Sequence, residues 1–240
     1  MEEGNGFRIK TGERIREGDG IVMPEQTFRK VLIITSVDAE REAVVQGLAG
    51  DSRFEVIIGG VGPIAAAAST ARCLAKQQYD LVVCAGICGG FPGVAEVGSL
   101  VVASESICAD LGAETAEGFC SLDELGFGSA RVAFDQKLVG RVTEGMLRAG
   151  LPVTQGAVLT LSTVTGSAAT AGELLARVPG AAAEAMEGYG VAYAAHEQGL
   201  PVLEIRTVSN LIGPRDKSAW RIKEALQMLK TASSVLREVI

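Results

Sequence analysis

The chain is poor in the residues that hold metals or staple folds. It has one histidine, His196, in 240 residues, so a cysteine–histidine zinc site has no second imidazole to draw on. Its five cysteines, Cys73, Cys84, Cys88, Cys108 and Cys120, contain no Cys-x-x-Cys pair. An odd count in a chain of this size argues against a disulfide framework. No apolar run reaches the ~18 residues of a membrane span. The opening MEEGNGFRIKTGERIREGDG has no apolar signal core. Neither G-x-G-x-x-G nor Walker A is present intact, which disfavours a nicotinamide oxidoreductase. Positive charge is also short, with 22 Lys and Arg against 29 Asp and Glu and a net charge of -7. A nucleic-acid backbone is therefore a poor partner. The expectation is a cytoplasmic protein, free of metal and cofactor, acting on a small molecule.

What is present is core material. The chain is 48% hydrophobic and 21% charged, which suits one large α/β domain. Residues 1–29 are charged, glycine-rich and aperiodic, and read as a flexible extension or cloning remnant. The domain spans 30–240. It opens with the buried strand Val31-Leu32-Ile33-Ile34, and Asp38 can cap a helix carrying Glu40, Val44, Val45 and Leu48. Phe54 to Ile58 is a strand ending in GGVGP, and Ile64 to Gln77 an alanine-rich helix. Leu81-Val82-Val83 runs into CAGICGGFPG, and Leu100-Val101-Val102 is a further strand. Residues 112–130 read as an irregular excursion. Leu138, Val142, Met146 and Ala149 mark a helix, and Ala157 to Leu161 a strand ending in STVTG. A helix is expected across Ala185 to His196, then the strand opening PVLEIRTVSNLIGPRD, then an amphipathic helix through Ile222, Leu226, Leu229, Leu236 and Ile240. Alternating strands and helices predict a parallel or mixed sheet with helices on both faces.

The stretch Pro201–Asp216 carries the clearest chemistry. Its apolar strand is interrupted by Glu204 and Arg206 and opens into Ser209-Asn210. Open α/β sheets place ligands at such carboxyl ends. Asn210 reads as a side chain that reads a base, and Arg206 as a charge aimed into the same cleft. An ordinary strand ending in an Asx turn fits as well. Gly86 to Gly93 follows a buried strand and reads as a phosphate cradle or as a tight turn. Glu40, taken alone, reads as a solvated helix carboxylate. Glu187 sits among alanines, Met186 and Tyr189. An acid in so apolar a setting needs a partner, which a ligand hydroxyl can supply. Met186 by itself is core filler, and His196 is assigned no chemistry.

In order, VLIITSVDAERE, GGVGP, CAGICGGF, VGSLVVASE, STVTG, EAMEG and RTVSN resemble the nucleoside phosphorylase and nucleosidase superfamily over about residues 30–240. Within it, ADLGAE at 109–114, AEAMEGYGVA and SNLIGPRDKSAWRI resemble one branch of nucleosidases, which release hypoxanthine from a nucleoside of the alternative menaquinone pathway. The resemblance implies a three-layer fold, a mixed central sheet flanked by helices, usually assembled as a homo-oligomer. It places Glu40 on the acid that activates water and Glu187 on the acid that grips the ribose hydroxyls, with Met186 against the sugar. It places Arg206 near the attacking water, Val164 where backbone meets the purine, and Asn210 at N7 of the base. Gly89 falls in the same substrate-binding set. Ile87 replaces a small hydroxyl residue that often touches the water or phosphate. Asn210 replaces the aspartate of adenine-cleaving nucleosidases, and an amide suits a 6-oxopurine better than adenine.

Phosphorolysis is the rival reaction, since family members that use phosphate carry an arginine in the loop after the first strand. Here that loop is TSVDAERE, with acids ahead of its one arginine, a poor anion site. The same motifs also fit a methylthioadenosine-type nucleosidase or a non-catalytic nucleoside binder. The joint presence of Glu40, Glu187 and Arg206 argues against the binder.

Overall fold

A computed structural model of the chain describes residues 27–240. The extension expected at 1–29 lies outside the described residues except for its last three. Two of those three join the domain. Phe28 is buried, and the Arg29 amide donates to Asp80 at 2.8 Å.

Among the described residues, ten strands and seven helices follow one another along the chain. They are β1 (Val31–Thr35), α1 (Asp38–Leu48), β2 (Phe54–Ile58), α2 (Pro63–Leu74), β3 (Leu81–Gly90), β4 (Leu100–Cys108), β5 (Gly112–Thr115), β6 (Gly118–Ser121), α3 (Leu122–Leu125), β7 (Arg131–Ala133), α4 (Gln136–Arg148), β8 (Val153–Thr160), α5 (Ala168–Arg177), β9 (Ala181–Ala185), α6 (Gly188–His196), β10 (Val202–Leu211) and α7 (Ile222–Val239). The main sheet is mixed and runs β10-β4-β8-β9-β3-β1-β2, with β7 beside β4. Strand β10 also pairs with β3, so β3, β9, β8, β4 and β10 close into a ring. The strands β2, β1, β3 and β10 run one way, and β4, β8 and β9 the other. The two sets meet at two seams, where Gly89 and Gly90 of β3 pair antiparallel with Glu184 and Ala183 of β9 and where Ile205 to Thr207 of β10 pair antiparallel with Val102 to Leu100 of β4.

Helices α1, α4 and α7 pack on one side, and α2 with α6 on the other. Glycines permit the closest approaches. A Cβ on Gly47 would lie 2.2 Å from the Lys230 carbonyl oxygen, and one on Gly190 2.1 Å from that of Pro63. The core strand VLIIT is buried at every residue, as a strand flanked on both sides must be.

Four expectations need correction. Ala185 to His196 is not one helix, because Ala181–Ala185 is strand β9 and the helix begins at Gly188. Alanine favours helix, but here tertiary pairing between β8 and β3 overrides propensity. The excursion at 112–130 is not irregular. It forms the hairpin β5–β6 and the turn α3, whose N-cap Ser121 and Glu124 satisfy each other's backbone amides. Of Gly86 to Gly93, the glycines Gly86, Gly89 and Gly90 form neither cradle nor turn, since β3 runs through all three, and the turn reading holds only at Gly93, whose φ is 78°. Strand β10 likewise continues past Ser209-Asn210 to Leu211. Helix α5 had no counterpart in the sequence reading.

Candidate active site

Strand carboxyl ends from both directions converge on one cleft of about 250 Å3. Ser36, Val37 and Glu40 come from the β1–α1 connection and Ile87, Cys88 and Gly89 from β3. Val164 and Thr165 follow β8, Glu184 to Glu187 span the β9–α6 junction, and Ser209 to Gly213 end β10. Arg215 and Trp220 close the rim. Of the sequence-predicted residues, Glu40, Ile87, Gly89, Val164, Met186, Glu187 and Asn210 therefore share one cavity.

Glu40 is in the first turn of α1, and its side chain folds back on the helix start. Oε2 accepts from the amides of Ser36 at 2.8 Å and Val37 at 3.4 Å, and Oε1 accepts from the Ile87 amide at 2.8 Å. It is 3% exposed, so it is not the solvated helix carboxylate its position alone allowed. Three amides fix the carboxylate while it still borders the cleft.

Glu187 sits at the N-cap of α6 rather than within a helix. Its Oε1 accepts from the Gly62 amide at 3.2 Å, and Oε2 lies 3.4 Å from Arg206 Nη1. The partner that so buried an acid requires is thus partly internal.

Arg206 does not point into the cleft. It is fully buried beneath the floor and absent from the lining. Its Nε donates to Glu204 Oε1 at 2.8 Å, and Nη2 donates to Cys84 Sγ at 3.1 Å. The register explains the arrangement. Glu204 lies opposite Cys84 and Arg206 opposite Gly86, so period-two alternation puts all four on one face. A Cβ on Gly86 would lie 2.5 Å from Glu40 Oε1 and 2.9 Å from Arg206 Nη1. Glycine is needed there so that a guanidinium and a carboxylate can fill that space. Gly188 plays the same part for Glu204, whose two oxygens would each lie 2.3 Å from an added Cβ.

One guanidinium thus pairs with two buried carboxylates, Glu204 and Glu187, with Glu40 nearby. Desolvation pushes Glu204 up from the usual carboxylate range, with Arg206 opposing. Burial acts to lower the Arg206 pKa, but the carboxylates of Glu204, Glu187 and Glu40 hold it above its ordinary value. The arginine is a fixed cation. Burial raises the Cys84 thiol well above its usual value and Cys88 to about 12, so neither offers a thiolate at neutral pH.

The β3–β10 register shifts between Val208 and Asn210. Such bulges re-aim side chains beside sites. Ser209 Oγ lies 3.1 Å from the Cys88 carbonyl oxygen and 2.9 Å from Asn210 Oδ1, sharing its proton between them. Asn210 Nδ2 donates to the Leu211 carbonyl at 3.1 Å. The amide is held with its oxygen inward, and one N–H remains for a ligand.

The sequence reading missed Glu184, which is buried and accepts from the Thr165 amide at 2.8 Å and from the Thr165 hydroxyl. Desolvation raises its pKa, and Thr165 limits the rise. Missed also were Glu204 as the arginine's main partner, and Arg215 and Trp220 at the rim. The charged pair Glu204/Arg206 two residues apart in an apolar strand was the available signal. Among the described residues, no group of three or more His, Cys, Asp and Glu gathers to hold a metal. No described helix is long and apolar enough to cross a membrane.

Comparison with known proteins agrees with this architecture. Residues 30–240 match the family described as the phosphorylase superfamily. The chain is similar to the futalosine hydrolase of Streptomyces coelicolor, 46% identical over 88% of this chain and 96% of that one. It is 44% identical to the futalosine hydrolase of Acidothermus cellulolyticus, over 86% and 90%. In fold it is similar to the 5′-methylthioadenosine/S-adenosylhomocysteine nucleosidase of Neisseria meningitidis, with a TM-score of 0.77 at 21% identity over 88% and 99% of the two chains. The chain belongs to the phosphorylase superfamily and, within it, to the futalosine hydrolases.

Proposed function

We propose that residues 30–240 act as one domain that hydrolyses the N-ribosidic bond of futalosine, releasing hypoxanthine and dehypoxanthine futalosine for menaquinone biosynthesis. The observation that carries this reading is the convergence of Glu40 and Glu187 on one cleft, with Arg206 paired to Glu187 beneath its floor and Asn210 on the same lining. The oxygen of water adds to C1′ as the C1′–N9 bond breaks, through an oxocarbenium-like sugar. The water proton goes to Glu40, a base already fixed in place. Glu187 holds the 2′- and 3′-hydroxyls and stabilises the charge growing on the sugar. Met186 packs against the ribose, and backbone at Val164 meets the purine. Ile87 and Gly89 form the wall behind the water. The purine leaves as an anion spread over N7 and O6, stabilised by a donor, and is protonated from solvent, to which Glu40 returns the proton it took. Asn210 supplies the free N–H to N7, and O6 competes with the Leu211 carbonyl for the other. Arg206 acts through the carboxylates it holds and touches no substrate.

Two further readings accompany this one. The proposed setting is the cytoplasm, supported by five free cysteines, which suit a reducing compartment. The proposed assembly is a homo-oligomer, supported by exposed apolar side chains at Val61, Ile64, Leu111 and Tyr193.

The test is incubation with futalosine, inosine and methylthioadenosine, with and without phosphate, reading free base. Hypoxanthine from futalosine without phosphate is expected. A requirement for phosphate, with ribose 1-phosphate chemistry at C1′, would make the enzyme a phosphorylase.

A further inference from the structure

Glu204 is a buried acid that the chemistry described above does not use. It lies on β10, fully buried and absent from the cleft lining. Burying a carboxylate is costly, and well-packed apolar side chains often serve a protein interior as well as a buried ion pair does. Stability alone therefore gives no reason for an acid at this place. What Glu204 does is visible in how the Arg206 guanidinium is shared. Nε donates to Glu204 Oε1 at 2.8 Å and Nη2 to Cys84 Sγ at 3.1 Å, which leaves Nη1 for Glu187 Oε2 at 3.4 Å. Glu204 and Cys84 are partners in the β10–β3 register, so the guanidinium is gripped from both strands.

Glu187 is held loosely by comparison. The contacts it accepts, from the amides of Gly62 and Met186 and from Arg206, measure 3.2, 3.3 and 3.4 Å. These lie at or beyond the long edge of ordinary N–H···O bonds. A carboxylate has about four lone-pair sites, so Glu187 borders the cleft with acceptor capacity to spare although a guanidinium lies beside it. The short bond to that guanidinium belongs to Glu204. Glu204 also packs against the backbone next to Glu187. A Cβ on Gly188 would lie 2.3 Å from both Glu204 oxygens, so this carboxylate is seated on the residue that follows Glu187, in the first turn of α6.

The inference rests on the nucleosidase reading, in which Glu187 holds the 2′- and 3′-hydroxyls. We propose that Glu204 is a positioning residue for the hydrolysis: by holding Arg206 at Nε it keeps the guanidinium from closing two-pronged on Glu187, whose oxygens stay aimed at the ribose hydroxyls. An arginine that meets a carboxylate unopposed takes both of its oxygens in parallel hydrogen bonds. With Glu204 and Cys84 holding two of its nitrogens, Arg206 steadies Glu187 through one long contact and leaves the rest to the substrate. Glu204 touches no substrate and acts through Arg206. Its effect therefore belongs to substrates that carry the hydroxyls.

The experiment measures kcat/KM for futalosine and its 2′,3′-dideoxy analogue, with the spontaneous rate subtracted. The enzymes are wild type, Glu204→Met and Glu204→Gln, each assayed well below its own melting temperature. Wild type is expected to favour the ribose substrate, and Glu204→Met to lower that preference by about 10- to 100-fold, the scale of one hydrogen bond to a charged group. The ribose-specific loss should fall on kcat more than on KM, because the hydroxyl contacts tighten as the sugar becomes cationic. Glu204→Gln keeps an acceptor for Nε and should recover part of the preference. Any inactive fraction of a variant cancels in the ratio of the two substrates. Equal losses on both substrates would make Glu204 a structural support only and overturn the inference, as would an unchanged preference in both variants. If Glu204→Met does not fold, Glu204→Gln carries the test, and wild-type preference in that variant overturns the inference. A wild type indifferent to the hydroxyls also overturns it and leaves hydrolysis standing. No hypoxanthine from futalosine with wild type would overturn the nucleosidase reading, and the inference with it.

Discussion

A carboxylate that accepts three backbone hydrogen bonds is fixed before any substrate arrives, and Glu40 is in that position. Replacing it with glutamine keeps size and removes the proton acceptor. Glu40→Gln is expected to lower kcat by about 10²- to 10⁴-fold, while substrate still binds in a direct titration. Turnover within about threefold of wild type would remove Glu40 from the mechanism. Asn210 is oriented by Ser209 and Leu211, so a single substitution tests what it reads. In Asn210→Asp a carboxyl oxygen faces O6 as a second acceptor, and one contact becomes a repulsion. Hypoxanthine release should fall by about 100-fold or more, with less loss for the 6-amino analogue of the same nucleoside. An unchanged ratio of the two kcat/KM values would show that Asn210 does not read the 6-position. Beneath the floor, Arg206 is the one cation among Glu40, Glu187 and Glu204. Removing one partner of a buried pair costs about 3–5 kcal/mol because the other charge is stranded. Arg206→Met strands Glu204 and Glu187 and should lower the urea midpoint more than Glu204→Gln, which leaves Arg206 paired with Glu187. The reverse order of midpoints would mean that Glu204, not Arg206, carries the network.

The elements that position these residues differ in how far the sequence announced them. β1, β3, β4, β10 and α7 were legible because continuous apolar runs and a helical stripe leave little choice. β9 was not, because alanine and glycine sequences carry no period, and Ala181–Ala185 becomes a strand only by pairing with β8 and β3. That error also misplaced Glu187 on a helix. Glu40, Glu187 and Asn210 were found through the family's motifs and not through periodicity. Arg206 was found, but its direction was not, because the sequence could not show that Gly86 leaves room for it under the floor. The hairpin β5–β6 and α3 hid behind polar residues, yet Asp123 ties them down. Its carboxylate accepts from Ser129 Oγ at 2.7 Å and the Ala130 amide at 2.8 Å. These bonds, the Ser129 hydroxyl first, hold the Asp123 pKa below its usual value. A depressed pKa means that the ionised form is favoured in the fold. The contribution is therefore present above the unfolded value of about 3.9 and lost as pH falls through the lower folded one. Intrinsic-rate-corrected amide exchange across 118–130 is expected to accelerate below about pH 4, and Asp123→Asn should show that faster exchange already at pH 6. Equal protection in the two proteins at pH 6 would sink the tether.

At the scale of the whole molecule the question is what covers the apolar face between α2 and α6. Ile64 is 84% exposed, and it borders a mostly apolar recess with Pro63, Ala67, Leu111, Tyr189 and Tyr193. Single exposed apolar side chains are ordinary, but a contiguous group of them marks a contact surface. A second copy of the chain fits the observation best, since a twofold contact lets one patch cover itself. Electrostatics works against such a contact, because each copy carries a net charge of -7. Salt screens that repulsion and leaves apolar burial intact, so association should tighten as ionic strength rises, the opposite of a contact built on ion pairs. Light scattering behind gel filtration at micromolar concentration is expected to give a multiple of 24.9 kDa. Ile64→Asp places a charge at the centre of the patch and should return the mass to that of one chain, with the far-ultraviolet spectrum unchanged. A wild-type mass of one chain across the concentration range, at low and high salt alike, would leave the face as a site for something other than a second copy.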